Sequence, residues 1–147
     1  MPADNNKVAI GADHAGLEFK ALIRDQLIRL GFQYVDAGAP EGTERVDYPI
    51  VAADVAKLIQ NGECVYGVLT CGTGLGMSMA ANRFRSIRAA NCSNEAMARL
   101  ARAHNDANVL TLGQRLLGPD LALSILEVFL TTPFEGGRHQ GRLSLFN

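Results

Sequence analysis

The residues best suited to chemistry are gathered in Thr70-Cys71-Gly72-Thr73-Gly74-Leu75-Gly76. An apolar run at 65–69 precedes them and a helix-like segment at 77–84 follows, so the stretch reads as strand, glycine-rich turn and helix. Glycines let the backbone turn sharply and approach a ligand, while amides opening a helix converge on one spot and favour negative charge there. Cys71 stands at the strand end facing that spot, where a thiolate would serve as base or nucleophile. The plainer alternative is a small buried hydrophobe, the usual fate of a free cysteine. Cys64 and Cys92 lack such a setting and read as structural.

The turn has no Gly-Lys-Ser/Thr ending, which excludes a nucleoside-triphosphate loop. It also fails the dinucleotide fingerprint, because Met77 stands where the third glycine belongs and no acid closes the next strand. A small anionic ligand or a developing oxyanion fits better. His14 and His104 each lie in a polar cluster rather than on an apolar stripe, and both can exchange protons near neutral pH. Asp13 and Asn105 beside them can hydrogen-bond a polyhydroxylated ligand. The three histidines of the chain show no metal-ligand spacing such as H-x-x-x-H.

Arg138 and Arg142 stand four apart, on one face if the tail is helical, and paired guanidiniums suit a phosphate. Arg115 is a third candidate for the same role. Arg99 and Arg102 read as an exposed helix face, and Met77, Met79 and Met97 as core filling.

Alternating elements must position these groups. Residues 7–11 form an apolar first strand ending in Gly11-Ala12-Asp13-His14-Ala15-Gly16, and Phe19, Leu22, Ile23, Leu27 and Leu30 recur at helical spacing before Gly31. Strands follow at 32–37, before the glycine motif, at 87–92 and at 108–112, each separated by a helical segment. Pro49 opens the second helix, Ser93 or Asn94 caps another, and Gly118-Pro119-Asp120 starts a last long one. The loop at 38–47 is long enough to cover a site. This pattern predicts a Rossmann-like three-layer α/β/α sandwich with a five-stranded parallel sheet. In the common order 2-1-3-4-5, strands one and three are neighbours, so Asp13 and His14 face Cys71, Gly72 and Thr73 across the ligand-binding crevice.

With 147 residues, 48% of them hydrophobic, and a net charge of -1, the chain fits one domain with a sizeable core. Three cysteines without C-x-x-C spacing argue against a disulfide framework or structural zinc. Balanced charge gives no case for nucleic acid or membrane binding, and the short polar start, expected to fray, carries no leader, so the expected location is cytoplasmic.

Taken in order, the motifs at 11–16, Asp47-Tyr48-Pro49, Cys71 to Gly76, His104-Asn105-Asp106 with Asn108, and Glu135-Gly136-Gly137-Arg138-His139 resemble the ribose-5-phosphate isomerase B family, which includes allose- and galactose-6-phosphate isomerases. The resemblance spans nearly the whole chain. It implies interconversion of ribose 5-phosphate and ribulose 5-phosphate through an enediolate, without metal or other cofactor. By similarity, Cys71 removes the C2 proton, and Thr73 with the amides of Gly72, Gly74, Leu75 and Gly76 stabilises the oxygen charge. His104 opens the sugar ring, Asp13 and Asn105 hold hydroxyls, and His14, Arg138 and Arg142, with Arg115 as an addition, surround the phosphate. A subgroup places a carboxylate base where Leu75 and Met77 stand here, so the cysteine version fits. The resemblance further implies a homodimer or dimer of dimers whose site is shared, with the other chain able to supply His104, Asn105 and Arg115. A hexose-6-phosphate isomerase of the same family is the alternative, followed by a non-catalytic sugar-phosphate binding module.

Overall fold

The computed structural model describes residues 5–38 and 45–146. Its sheet comprises β1 (Lys7–Ala12), β2 (Gln33–Gly38), β3 (Tyr66–Cys71), β4 (Ala89–Asn91) and β5 (Val109–Gly113), all parallel. Helices α1 (Leu17–Arg29), α2 (Tyr48–Gln60), α3 (Leu75–Ala81), α4 (Glu95–Asn105) and α5 (Pro119–Thr131) follow the successive strands, and α6 (Arg138–Leu143) ends the chain. Pro119 sits in the first turn of α5, and the Asn94 side chain caps α4 by accepting from the Met97 amide at 2.8 Å. Among the described residues no helix is long and apolar enough to cross a membrane. The loop expected at 38–47 falls largely at 39–44, outside the described residues. Residues 1–4 of the expected frayed start also lie outside them, whereas Asn5 and Asn6 are tied to the carbonyls of Gly62 and Gly31.

The strand order is β2-β1-β3-β5-β4, not 2-1-3-4-5. Burial accounts for the exchange. Every residue of β5 is buried, as a strand covered on both faces requires, whereas Ala89-Ala90-Asn91 is short and only half-buried, as suits an edge. The crevice between β1 and β3 survives the change, because the chain still crosses from β2 on one side of β1 to β3 on the other.

Alternation along each strand divides the core between the two faces. Val8, Ile10, Val68, Leu110 and Leu112 meet Phe19, Ile23 and Leu27 of α1 and Ile125, Leu126 and Phe129 of α5. Ala9, Leu69, Cys71 and Val109 meet Val51 and Val55 of α2 and Met77 of α3. Of Met77, Met79 and Met97 only Met77 fills core. Met79 and Met97 are exposed, 70% and 42%, which corrects the core-filling expectation for both.

Arg99 is exposed as expected, but Arg102 is buried. Its Nη1 donates to the Ala107 carbonyl at 2.7 Å and to Asp106 Oδ1 at 2.8 Å, and its Nε to the Thr132 carbonyl at 3.2 Å. The guanidinium also lies 5.0 Å over the Tyr66 ring. Arg88 donates to the Asp106 carbonyl at 2.9 Å, so two arginines pin the left-handed turn at Asp106 that ends α4. These three hydrogen bonds and the Asp106 carboxylate are what let Arg102 lie inside. Replacing Arg102 by Ala strands buried carbonyls and is expected to destabilise the fold by roughly 3 kcal/mol, discounted for the partly exposed Asp106. Urea unfolding measures this; a loss below about 1 kcal/mol would assign the network no structural weight.

Candidate active site

The β3 end and the glycine turn hold the first group of residues. The Gly74 amide donates to Cys71 Sγ at 3.1 Å, and the Leu75 amide donates to Thr73 Oγ1 at 3.2 Å. Gly74 has φ +80°, and a Cβ there would collide with Asn91 Oδ1, so both backbone strain and lack of room require glycine. A Cβ on Gly76 would lie 2.8 Å from the Tyr48 ring, which therefore covers the turn from the start of α2.

β1 brings the second loop alongside. The Asp13 amide donates to the Thr70 carbonyl at 3.2 Å, and Thr70 Oγ1 donates to the Gly16 carbonyl at 2.8 Å, locking the two turns together. Asp13 is buried and accepts from the Ala15 amide at 2.9 Å, while His14 beside it is exposed. The expected juxtaposition of Asp13 and His14 with Cys71, Gly72 and Thr73 is what this pairing produces.

Arg115 joins the same group. Its amide donates to the Gly72 carbonyl at 2.9 Å, and its Nη1 lies 3.2 Å from where a Gly72 Cβ would stand. It therefore accompanies Cys71 within its own chain, which corrects its placement with His104 and Asn105 on the other chain.

His104, Asn105, Arg138 and Arg142 lie elsewhere. α4 leaves the carboxyl end of β4 and runs back, so its last turn reaches the amino edge of the sheet, where Asn108 bonds to the Arg88 carbonyl just ahead of β4. Cys71 pairs with Gly113 at the opposite end of β5. The steps from Val109 to Gly113 alone span about 13 Å, so one chain's His104 does not meet its own Cys71.

At the amino edge the Glu135 amide bonds to the Ala103 carbonyl at 3.0 Å and draws the tail to α4. The tail is helical, which sets Arg138 and Arg142 on one exposed face of α6 as the spacing requires. His104 and His139 stack with centroids 4.3 Å apart and planes 15° from parallel. Glu135 Oε1 lies 3.8 Å from His104 Nε2 and 3.7 Å from His139 Nε2. These three side chains are the described residues whose donor atoms could surround a metal ion. Histidine spacing along the chain misses the group because two elements contribute it; the four-residue step from Glu135 to His139 was the available signal. Tyr48 was likewise missed as a site residue, since nothing local says which glycine its ring will cover. Asn105 opens instead onto a groove lined by Arg83, Arg85, Arg88 and Phe146.

Two of the thiols lie in surroundings that oppose ionisation. Burial pushes Cys92 up to about 11, and burial together with the nearby Glu63 carboxylate raises Cys64. Both stay protonated near neutrality. Burial lowers His139, helped by the positive charge of Arg138.

An α/β sandwich carrying a cysteine at the β1–β3 crevice defines the class, and comparison with known proteins defines the family. Residues 8–146 match the family model described as Ribose/Galactose Isomerase. The ribose-5-phosphate isomerase B of Escherichia coli is 45% identical over 137 residues, 93% of this chain and 91% of that protein. The crystal structure of a ribose 5-phosphate isomerase from Thermotoga maritima is 50% identical, with TM-score 0.90 and 94% of both chains covered. The solved structure of Clostridium thermocellum ribose-5-phosphate isomerase B is 48% identical, with TM-score 0.91 over 94% of this chain and 93% of the other. The chain belongs to the ribose/galactose isomerase family.

The raised Cys92 thiol has a consequence for stability. Between about pH 9 and pH 11 the unfolded chain loses this proton while the folded one keeps it, so stability falls as pH rises through that window. The expected loss is roughly 2 to 3 kcal/mol. Denaturant unfolding of wild type and Cys92→Ala across this range checks it: the variant should lose less, and parallel curves would remove Cys92 as the source.

Proposed function

We propose that the protein interconverts D-ribose 5-phosphate and D-ribulose 5-phosphate at a site built between two copies of the chain. The observation that carries the reading is the Cys71 sulfur held at 3.1 Å from the Gly74 amide, at the crevice where Asp13 also faces. A negative sulfur takes the C2 proton of the open-chain sugar and returns it to C1, while O1 and O2 exchange carbonyl and hydroxyl character through the enediolate. Amides of the Gly72 to Gly76 turn, with Thr73, stabilise the oxygen charge that develops. No metal or other cofactor enters this sequence.

Ring opening needs an acid at the ring oxygen, which is the role of His104 from the second copy. The separation of the two edges supports this division: Asp13, His14, Cys71 and Arg115 come from one chain, His104, Asn105, Arg138 and Arg142 from its partner. Asp13 and Asn105 hold sugar hydroxyls, and His14 with the arginines receives the phosphate. Exposed apolar side chains also support a second copy. Leu75 and Met79 share a face of α3 and are 51% and 70% exposed, and Met97 and Leu100 of α4 are also exposed, a pattern costly in a monomer.

Isomerisation of ribose 5-phosphate and allose 6-phosphate is measured side by side with a chelator present. The expected result is preference for the pentose with no loss on chelation, and a fall of at least about 100-fold in Cys71→Ala with the fold retained. Preference for the hexose would move the assignment to the other branch of the family. Near-normal turnover in Cys71→Ala would remove the base.

A further inference from the structure

His139 is 6% exposed in its side chain, and its Nε2 is buried with no hydrogen-bond partner among the described residues. It points towards Glu135 and His104, whose donor atoms lie with it inside a 4.8 Å cluster. An imidazole nitrogen enclosed without a partner is a group waiting for one. We propose that His104, Glu135 and His139 form a binding site for a divalent transition-metal ion of the zinc class, and that filling it withdraws His104 from the substrate. The second half of this statement rests on the functional reading above; the first does not.

The donor set is two imidazoles and a carboxylate, the nitrogen and oxygen ligands that zinc takes in open, three-ligand sites. Metal-ligand bonds near 2.1 Å put two ligands of a tetrahedral ion about 3.4 Å apart. The observed 3.8 and 3.7 Å separations from Glu135 Oε1 therefore need to close by a few tenths of an ångström. The stacked rings set both Nε2 atoms side by side against the same Glu135 oxygen, so one ring must turn to converge on an ion. His104 can turn, being 36% exposed at the end of α4, while His139 stays held.

Charge sets the selectivity. Arg138 and Arg142, on the same short helix as His139, oppose a cation, whereas Glu135 offsets one charge. Hard, oxygen-seeking ions such as magnesium gain little from two imidazoles and meet the same repulsion, which leaves the nitrogen-binding metals.

The test uses the full chain without an affinity tag, stripped with chelator and titrated with zinc by calorimetry and with cobalt(II) by visible absorption. Wild type is expected to bind one ion per chain with a tetrahedral cobalt spectrum lacking thiolate charge transfer. His139→Gln and Glu135→Gln should each weaken binding at least about 10-fold, while Cys71→Ser binds as wild type does. Glu135 is exposed, so its variant folds even if the buried His139→Gln does not. Unchanged affinity in Glu135→Gln, loss in Cys71→Ser, or no stoichiometric binding would overturn the site. Zinc should also slow wild-type isomerisation at concentrations that leave Glu135→Gln active; equal inhibition of both would overturn the claim on His104. A protein that binds zinc at this triad yet turns over no sugar phosphate would refute the functional reading and leave the metal site standing.

Discussion

A parallel sheet sends every strand-to-helix turn to one edge and every helix-to-strand turn to the other, and this constraint governs the molecule. Cys71 ends a strand, and His104 ends a helix. No local adjustment brings them together, because β5 and its neighbours stand between the two edges. The chemistry the residues suggest therefore needs either a second copy or a smaller set of groups. Leu75 and Met79 of α3 are exposed, so the proposed second copy would bury apolar surface as well as supply the missing groups.

Within one edge the geometry is set by backbone rather than by side-chain reach. The tie from the Asp13 amide to the Thr70 carbonyl and from Thr70 Oγ1 to the Gly16 carbonyl joins two turns that arrive on neighbouring strands. Gly74 then turns its amide on the Cys71 sulfur in a conformation that a side chain would oppose. At the other edge the turn after His104 is held by Arg102 and Arg88 around Asp106. Both halves of the proposed site thus rest on turns tied by hydrogen bonds within the chain itself, as positioning a reacting proton demands.

Much of this was legible in the sequence, for identifiable reasons. Continuous apolar runs and capping residues located the five strands and the helices between them, and the glycine turn named Cys71 without help from tertiary structure. The order of β4 and β5 was not legible from alternation alone, although the poorer apolar content of Ala89-Ala90-Asn91 against Val109-Leu110-Thr111-Leu112 held the clue. Arg102 misled because helical spacing shows a face and not the carbonyls waiting beneath it. Met79 and Met97 misled because an apolar side chain turned outward looks, in one dimension, like one turned inward. Tyr48 and His139 depend on contacts between distant elements, and residue type alone does not announce those.

The central claim, a site divided between two copies, is tested by combining two defective chains. Cys71→Ala and His104→Asn are each prepared alone and also co-expressed, and turnover of ribose 5-phosphate is measured per chain. Random pairing makes half the dimers mixed, and each mixed dimer carries one site with both residues intact. Each variant alone is expected to be inactive, and the mixture to regain about a quarter of wild-type activity. A mixture no more active than its parents, in protein shown to contain mixed dimers, would contradict it.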